Sequence, residues 1–168
     1  MHRYSCTLTE WMSETSMEET ASIAPSVLLQ IAEAMEMLHN ASLIHLDLKP
    51  DNILINEWPF VRAFIADFDT MIFTNETSGA FHEESDYTRQ TTYHGTPMYS
   101  APEHFLQRVC KASDVWSFGC IALQLCTGVK EMWANRSTFN IFHTVTELKQ
   151  TPDDDVKQEV MLEAEILN

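Results

Sequence analysis

The sequence predicts an α+β fold, mainly helical, with a few short strands grouped in its first half. Three observations carry this: an amphipathic helical period over residues 27–38, two β-prone runs at 53–55 and 61–66, and an apolar helical run over 114–126. In the first, Val27, Leu28, Ile31, Ala32, Met35 and Leu38 recur every three to four residues, while Gln30, Glu33 and Glu36 fall elsewhere on the wheel. Pro25 suits the first turn of this helix and Asn40 its end. The two β-prone runs are separated by Asn56, Glu57, Trp58 and Pro59, which suggests a small hairpin. Residues 70–93 are polar and show neither period, so a long mobile loop is expected. Ser113 is placed to cap the third run, which has apolar residues all round, as a buried helix does, and is closed by Gly128. Residues 139–148 and 156–167 are weaker helix candidates.

A chain of 168 residues, 45% apolar and 21% charged, has the composition and length of one soluble globular domain. Arg3, Glu10, Glu14, Glu18 and Glu19 stand where a signal peptide would be apolar. No run approaches the roughly eighteen uninterrupted apolar residues that cross a bilayer. An intracellular, cytoplasmic protein without a membrane span is expected. The cysteines Cys6, Cys110, Cys120 and Cys126 lack C-x-x-C spacing, and the last two read as small core residues. A formal charge of -15 with only ten Lys plus Arg excludes the basic footprint of a nucleic-acid binder.

Four motifs carry chemistry. His45-Leu46-Asp47-Leu48-Lys49-Pro50-Asp51-Asn52 sets a candidate base, a cation and a carboxamide ligand in front of a predicted strand. Asp67-Phe68-Asp69 follows the second strand, twenty residues after Asp47. Gly95-Thr96-Pro97-Met98-Tyr99-Ser100-Ala101-Pro102-Glu103 comes next, then Asp114-Val115-Trp116-Ser117-Phe118-Gly119 at the start of the buried helix. In this order and spacing they resemble the catalytic loop, the metal-binding Asp-Phe-Gly, the substrate strip ending in Ala-Pro-Glu and the central helix of the eukaryotic-type protein kinase family, serine/threonine type.

The resemblance implies a protein-kinase-like α+β fold, specifically the mainly α-helical C-terminal lobe with short strands around the catalytic loop. Residues 1–150 would be that lobe in partial form, beginning near the hinge, and 151–168 a helical tail. It implies ATP and Mg2+ as cofactors and a protein as substrate. Asp47 matches the catalytic base, Lys49 the contact to the transferred phosphate, and Thr96 the threonine bridging the two. Asn52 and Asp67 match the metal ligands, and Leu54 the apolar residue beneath the adenine. Asp114 and His45 would be structural, the histidine packing under Phe68.

The departures are specific. Met1 to Ser5 resembles the hinge, and no G-x-G-x-x-G or strand lysine precedes it, so the chain is expected to be truncated and inactive by itself. Loss of the small lobe would expose apolar cleft surface around Leu54. Leu46 replaces the arginine that reads a loop phosphate, which makes phosphorylation a poor switch. Asp69 replaces glycine, removing easy left-handed geometry. Glu103 lacks its usual downstream arginine, Arg136 being the last in the chain. Two readings stay open: an ATP-dependent serine/threonine protein kinase, favoured by Asp47, Lys49, Asn52 and Asp67 together, and a pseudokinase or kinase-like interaction module.

Overall fold

The computed structural model describes residues 6–57, 59–74, 88–89, 95–106 and 108–128. The chain divides into two units, Met1–Met132 and Trp133–Asn168, and all the described residues belong to the first. The predicted helices at 139–148 and 156–167, and the predicted boundary at 150, lie outside the described residues.

Strand β1 (Cys6–Thr7) leads straight into helix α1 (Leu8–Glu14). Thr7 starts this helix because its hydroxyl accepts from the Glu10 amide while the Glu10 carboxylate accepts from the Thr7 amide, so two otherwise unpaired donors are satisfied. Leu8 and Trp11 bury one face, and the Trp11 indole N–H donates to Glu57 at 2.9 Å. The pattern Thr-x-x-Glu ahead of spaced apolar residues was the available signal for α1.

Helix α2 (Met17–Asn40) ends where predicted but begins ten residues earlier than the predicted 27. Ser16 caps it, accepting from the Glu19 amide, and acidic residues fill its first turn, where the helix dipole favours them. Pro25 therefore sits inside the helix. It lies on the exposed face, so the carbonyl left without a partner by its missing N–H can reach water and the helix runs through. Thr20, Ala24, Val27, Ile31 and Met35 form the buried stripe. By length and composition α2 would also span a bilayer, yet here the stripe packs into a protein core with α1, the central strands and the third helix.

Strands β2 (Leu43–Ile44), β3 (Ile53–Asn56) and β4 (Arg62–Ile65) follow. The predicted hairpin is present: β3 and β4 pair antiparallel from Ile53 opposite Ile65 to Asn56 opposite Arg62, and β1 adds on the other side in the order β1-β3-β4. Ile53 and Ile55 face the core, while Leu54 and Asn56 turn outward, as strand alternation requires. Gln30 of α2 covers the free edge of β4, accepting from the Ala63 amide at 3.1 Å and donating to the Val61 carbonyl at 3.2 Å.

Of the predicted loop at 70–93, residues 75–87 and 90–93 lie outside the described residues; the described part corrects the expectation, since it contains β5 (Ile72–Phe73), antiparallel to β2, and β6 (Thr88–Arg89), antiparallel to β7 (Arg108–Val109). Two-residue strands carry no measurable period, so pairing with distant partners decides them.

Helix α3 (Lys111–Thr127) starts at Cys110, not Ser113, which instead occupies the third helical position and accepts from the Cys110 amide. Gly128 closes it in left-handed geometry, φ 68°, as expected. Burial all round does not hold among the described residues: Val115 and Leu123 are about half exposed, at 52% and 49%. Cys126 is likewise exposed rather than core, whereas Cys120 is buried. Ile121 and Leu125 join Leu48, Ile53, Ile55, Val27 and Ile31 in the main core.

Candidate active site

The loop from His45 to Asn52 is held from below by α3. Asp114, completely buried, accepts from the His45 amide with one oxygen and the Leu46 amide with the other, each at 2.9 Å. His39 of α2 closes on the same carboxylate at 2.8 Å. These bonds hold Leu46 in left-handed backbone geometry, φ 69°, which a leucine avoids unless surrounding contacts impose it. The Leu46 side chain is buried with Ile44, Ile72 and Val109, so apolar packing fills the place of the arginine.

His45 Nε2 faces the Ala66 carbonyl at 3.0 Å and therefore carries the proton, while its ring packs against Phe68 with centroids 5.6 Å apart. Thr70 donates its hydroxyl hydrogen to the His45 carbonyl at 2.8 Å. Thus His45 and Asp114 occupy the structural positions expected of them. The expectation about Asp69 is revised: the left-handed residue of this turn is Asp67, φ 60°, and Asp69 takes no positive φ, so a side chain there costs no backbone strain. Asp67 and Asp69 are both exposed.

Above this base four predicted site residues converge. Lys49 Nζ donates to Asp47 Oδ2 at 2.7 Å and to Thr96 Oγ1 at 2.8 Å, and Thr96 in turn donates to Asp47 Oδ1 at 2.9 Å. Asn52 Nδ2 donates to the Asp47 carbonyl at 2.8 Å and to Oδ2 at 3.1 Å. Burial by itself would raise the Asp47 pKa, but hydrogen bonds from Lys49 and Thr96, the Lys49 charge and the Asn52 amide outweigh it and hold the carboxyl below its ordinary value. Asp47 is thus a carboxylate at neutral pH. Thr96 reaches this network because Gly95, φ 138°, brings the chain close: a Cβ there would stand 3.0 Å from the Leu46 carbonyl oxygen.

The hairpin places Asn52 and Asp67 near the same end of its ladder, Asn52 buried and Asp67 exposed. The Ala66 amide donates to the Asn52 carbonyl at 2.8 Å, which continues the β3–β4 ladder and sets the two candidate metal ligands at one end of it. Engaging the Asn52 nitrogen with Asp47 reserves its amide oxygen for a cation or donor. One carboxylate and one carbonyl-type oxygen are donor types that suit magnesium. Leu54, one of the outward residues of β3, stands between Thr7 and Phe64 in register, on the face away from the core.

Sequence reasoning missed His39, for which no motif signals a partner 75 positions away. It also missed the partner of Glu103, which among the described residues is the Ser113 hydroxyl at 2.8 Å; Arg136 lies outside them. A groove of about 610 Å³ opens beside Thr96, lined in part by Met12, Thr20, Asp51, Tyr99 and Gln124.

A family model described as the protein kinase domain matches residues 3–167. The chain belongs to the protein kinase family. Similar proteins include a putative 3-phosphoinositide-dependent protein kinase 2 of Homo sapiens, 36% identical over 71% of this chain and 28% of that protein. The 3-phosphoinositide-dependent protein kinase 1 of Homo sapiens is 36% identical over 71% of this chain and 20% of its own length. A mitogen-activated protein kinase, HOG1B of Wallemia ichthyophaga, is 35% identical over 81% and 33% respectively. The chain thus spans a third or less of the length of these kinases, and the kinase fold expected from the motifs holds over its described part.

Proposed function

We propose that the protein containing this chain is an ATP-dependent serine/threonine protein kinase, and that this chain is the partial larger lobe over residues 1–150, with 151–168 as a tail. The observation that carries the reading is the closed Lys49–Asp47–Thr96 network with Asn52 attached. A binding module requires no ionised carboxylate held in line with a lysine and a hydroxyl.

In this reading the acceptor serine or threonine hydroxyl hydrogen-bonds to Asp47, whose carboxylate orients the attacking oxygen and takes the proton as the new bond forms. Lys49, already 2.7 Å from Asp47, supplies positive charge to the transferred group. Thr96 keeps both side chains in register and borders the groove in which an acceptor peptide would lie. Asn52 and Asp67 would hold magnesium, and Leu54 would lie beneath the adenine. When bound, MgATP supplies the phosphoryl group and neutralises charge on the phosphate oxygens. Use of ATP fits an intracellular, cytoplasmic protein. The side chains of Leu46 and Asp69, two of the departures in the sequence, make no hydrogen bond to Asp47 or Lys49, and the network is closed.

The test is Asp67→Asn in the full-length protein. Magnesium-dependent nucleotide binding is expected to fall by at least about tenfold, because a carboxylate ligand becomes a neutral amide, with the melting temperature unchanged at this exposed position. Nucleotide binding that keeps its magnesium dependence would remove Asp67 from the metal site.

A further inference from the structure

Besides Asp114, three polar side chains of α3 are buried: Ser113, Ser117 and Gln124, exposed to only 3%, 4% and 9%. Spaced four and seven residues apart, they lie along one stripe of the helix. All three engage the segment that carries Thr96. Ser113 donates to Glu103 at 2.8 Å, Ser117 donates to the Tyr99 backbone carbonyl at 2.7 Å, and Gln124 Oε1 accepts from the Tyr99 hydroxyl at 2.9 Å.

Ser117 is the informative member. A serine inside a helix ordinarily returns its hydroxyl hydrogen to the carbonyl four residues back. That carbonyl, of Ser113, is present at 3.2 Å, but the shorter contact is to Tyr99, and a hydroxyl has one hydrogen to give. The Tyr99 carbonyl belongs to a tight turn: the Tyr99 amide donates to the Thr96 carbonyl at 2.9 Å and the Ser100 hydroxyl to the same oxygen at 3.0 Å. A turn closed in this way moves as a unit. Fixing its far end on α3 therefore fixes its near end, where Thr96 Oγ1 sits within 2.8 Å of Lys49 and 2.9 Å of Asp47.

We propose that Ser117 is a positioning residue, which through the Tyr99 carbonyl holds Thr96 against Lys49 and Asp47. Its effect on catalysis rests on the phosphotransfer reading above; its effect on Thr96 does not. The same helix thus supports the catalytic loop through Asp114 and the substrate strip through Ser117, three residues apart, so the two halves of the site share one rigid reference.

The experiment follows the Thr96 methyl resonance by NMR in this chain, with an Ile31 methyl of the core as reference, in Ser117→Ala and in the near-isosteric Ser117→Cys, whose thiol is a weak donor. Ser117→Ala is expected to shift and broaden the Thr96 signal and leave Ile31 in place, with Ser117→Cys intermediate. In the full-length protein, kcat is expected to fall roughly three- to tenfold in Ser117→Ala, as for loss of one net hydrogen bond, with KM for ATP unchanged. A Thr96 signal identical to wild type in Ser117→Ala, or in Ser117→Cys should the alanine variant not fold, overturns the proposal. So does an unchanged kcat. Absence of turnover in the wild-type protein would instead remove the phosphotransfer reading, and the Thr96 resonance would then decide the positioning role alone.

Discussion

Asp114→Ala is expected to destabilise the fold by about 3–5 kcal/mol, the range for removing one partner from a buried, hydrogen-bonded charge cluster. The side chain is fully buried and accepts from the His45 and Leu46 amides, and it faces His39 at 2.8 Å. Alanine would leave these groups without an acceptor and too deep for easy solvation, each unmade bond costing about 1–3 kcal/mol. It would also release Leu46 from its left-handed backbone, since the amide bond to Asp114 is what holds that geometry. Asp114→Asn is expected to cost less, because one acceptor oxygen remains, though an amide N–H2 would then oppose a backbone donor. Urea titration checks this: the midpoint should fall with the slope unchanged. A loss below about 1 kcal/mol, the net worth of a single ordinary hydrogen bond, would mean that the catalytic loop does not depend on α3.

Asp47→Asn should lower kcat in the full-length protein by about a hundredfold or more, the usual range for removing a general base, while KM for ATP stays within about twofold. Asparagine is nearly isosteric and can still accept from Thr96, so the groove and the turn should survive. What disappears is the charge beside Lys49 and the acceptor for the proton of the attacking hydroxyl. Since the carboxyl is held below its ordinary pKa, first against the opposing effect of burial, the wild-type group is already ionised near neutrality and available as a base. Steady-state kinetics at saturating and limiting ATP separate the two outcomes. A large rise in KM for ATP with kcat preserved would assign Asp47 to nucleotide binding and not to the acceptor.

How far the sequence led depended on the range over which each feature is determined. The β3–β4 hairpin and the end of α2 were legible because local alternation and a helical period fix them. The start of α2 was not, because Pro25 on an exposed face is tolerated where the same residue facing the core would end the helix. The cap of α3 was misassigned to Ser113 since a serine before an apolar run is the commonest cap, whereas here its hydroxyl is used three residues into the helix and on Glu103. At the candidate site the motif residues Asp47, Lys49, Asn52 and Thr96 were named through the resemblance of their motifs to the kinase family, and they come together in one hydrogen-bonded group. The supports beneath them were only partly legible: Asp114 came with a motif, but His39 and Ser117 act across 75 and 18 positions, and no local pattern encodes such a partner. Polar residues at 113, 117 and 124, spaced along one stripe of a largely apolar helical run, were the one available sign.

The account stands on Asp47 directing a magnesium-dependent transfer to serine or threonine. The most direct measurement gives the full-length protein ATP labelled at the γ-phosphate and a set of peptides identical but for Ser, Thr or Tyr at one position, with and without Mg2+, beside an Asp47→Ala variant. Label on the Ser and Thr peptides only, lost when magnesium is withheld and lost in Asp47→Ala, is the expected result. Equal labelling by Asp47→Ala and wild type, or no labelling by wild type while MgATP binds, would contradict it.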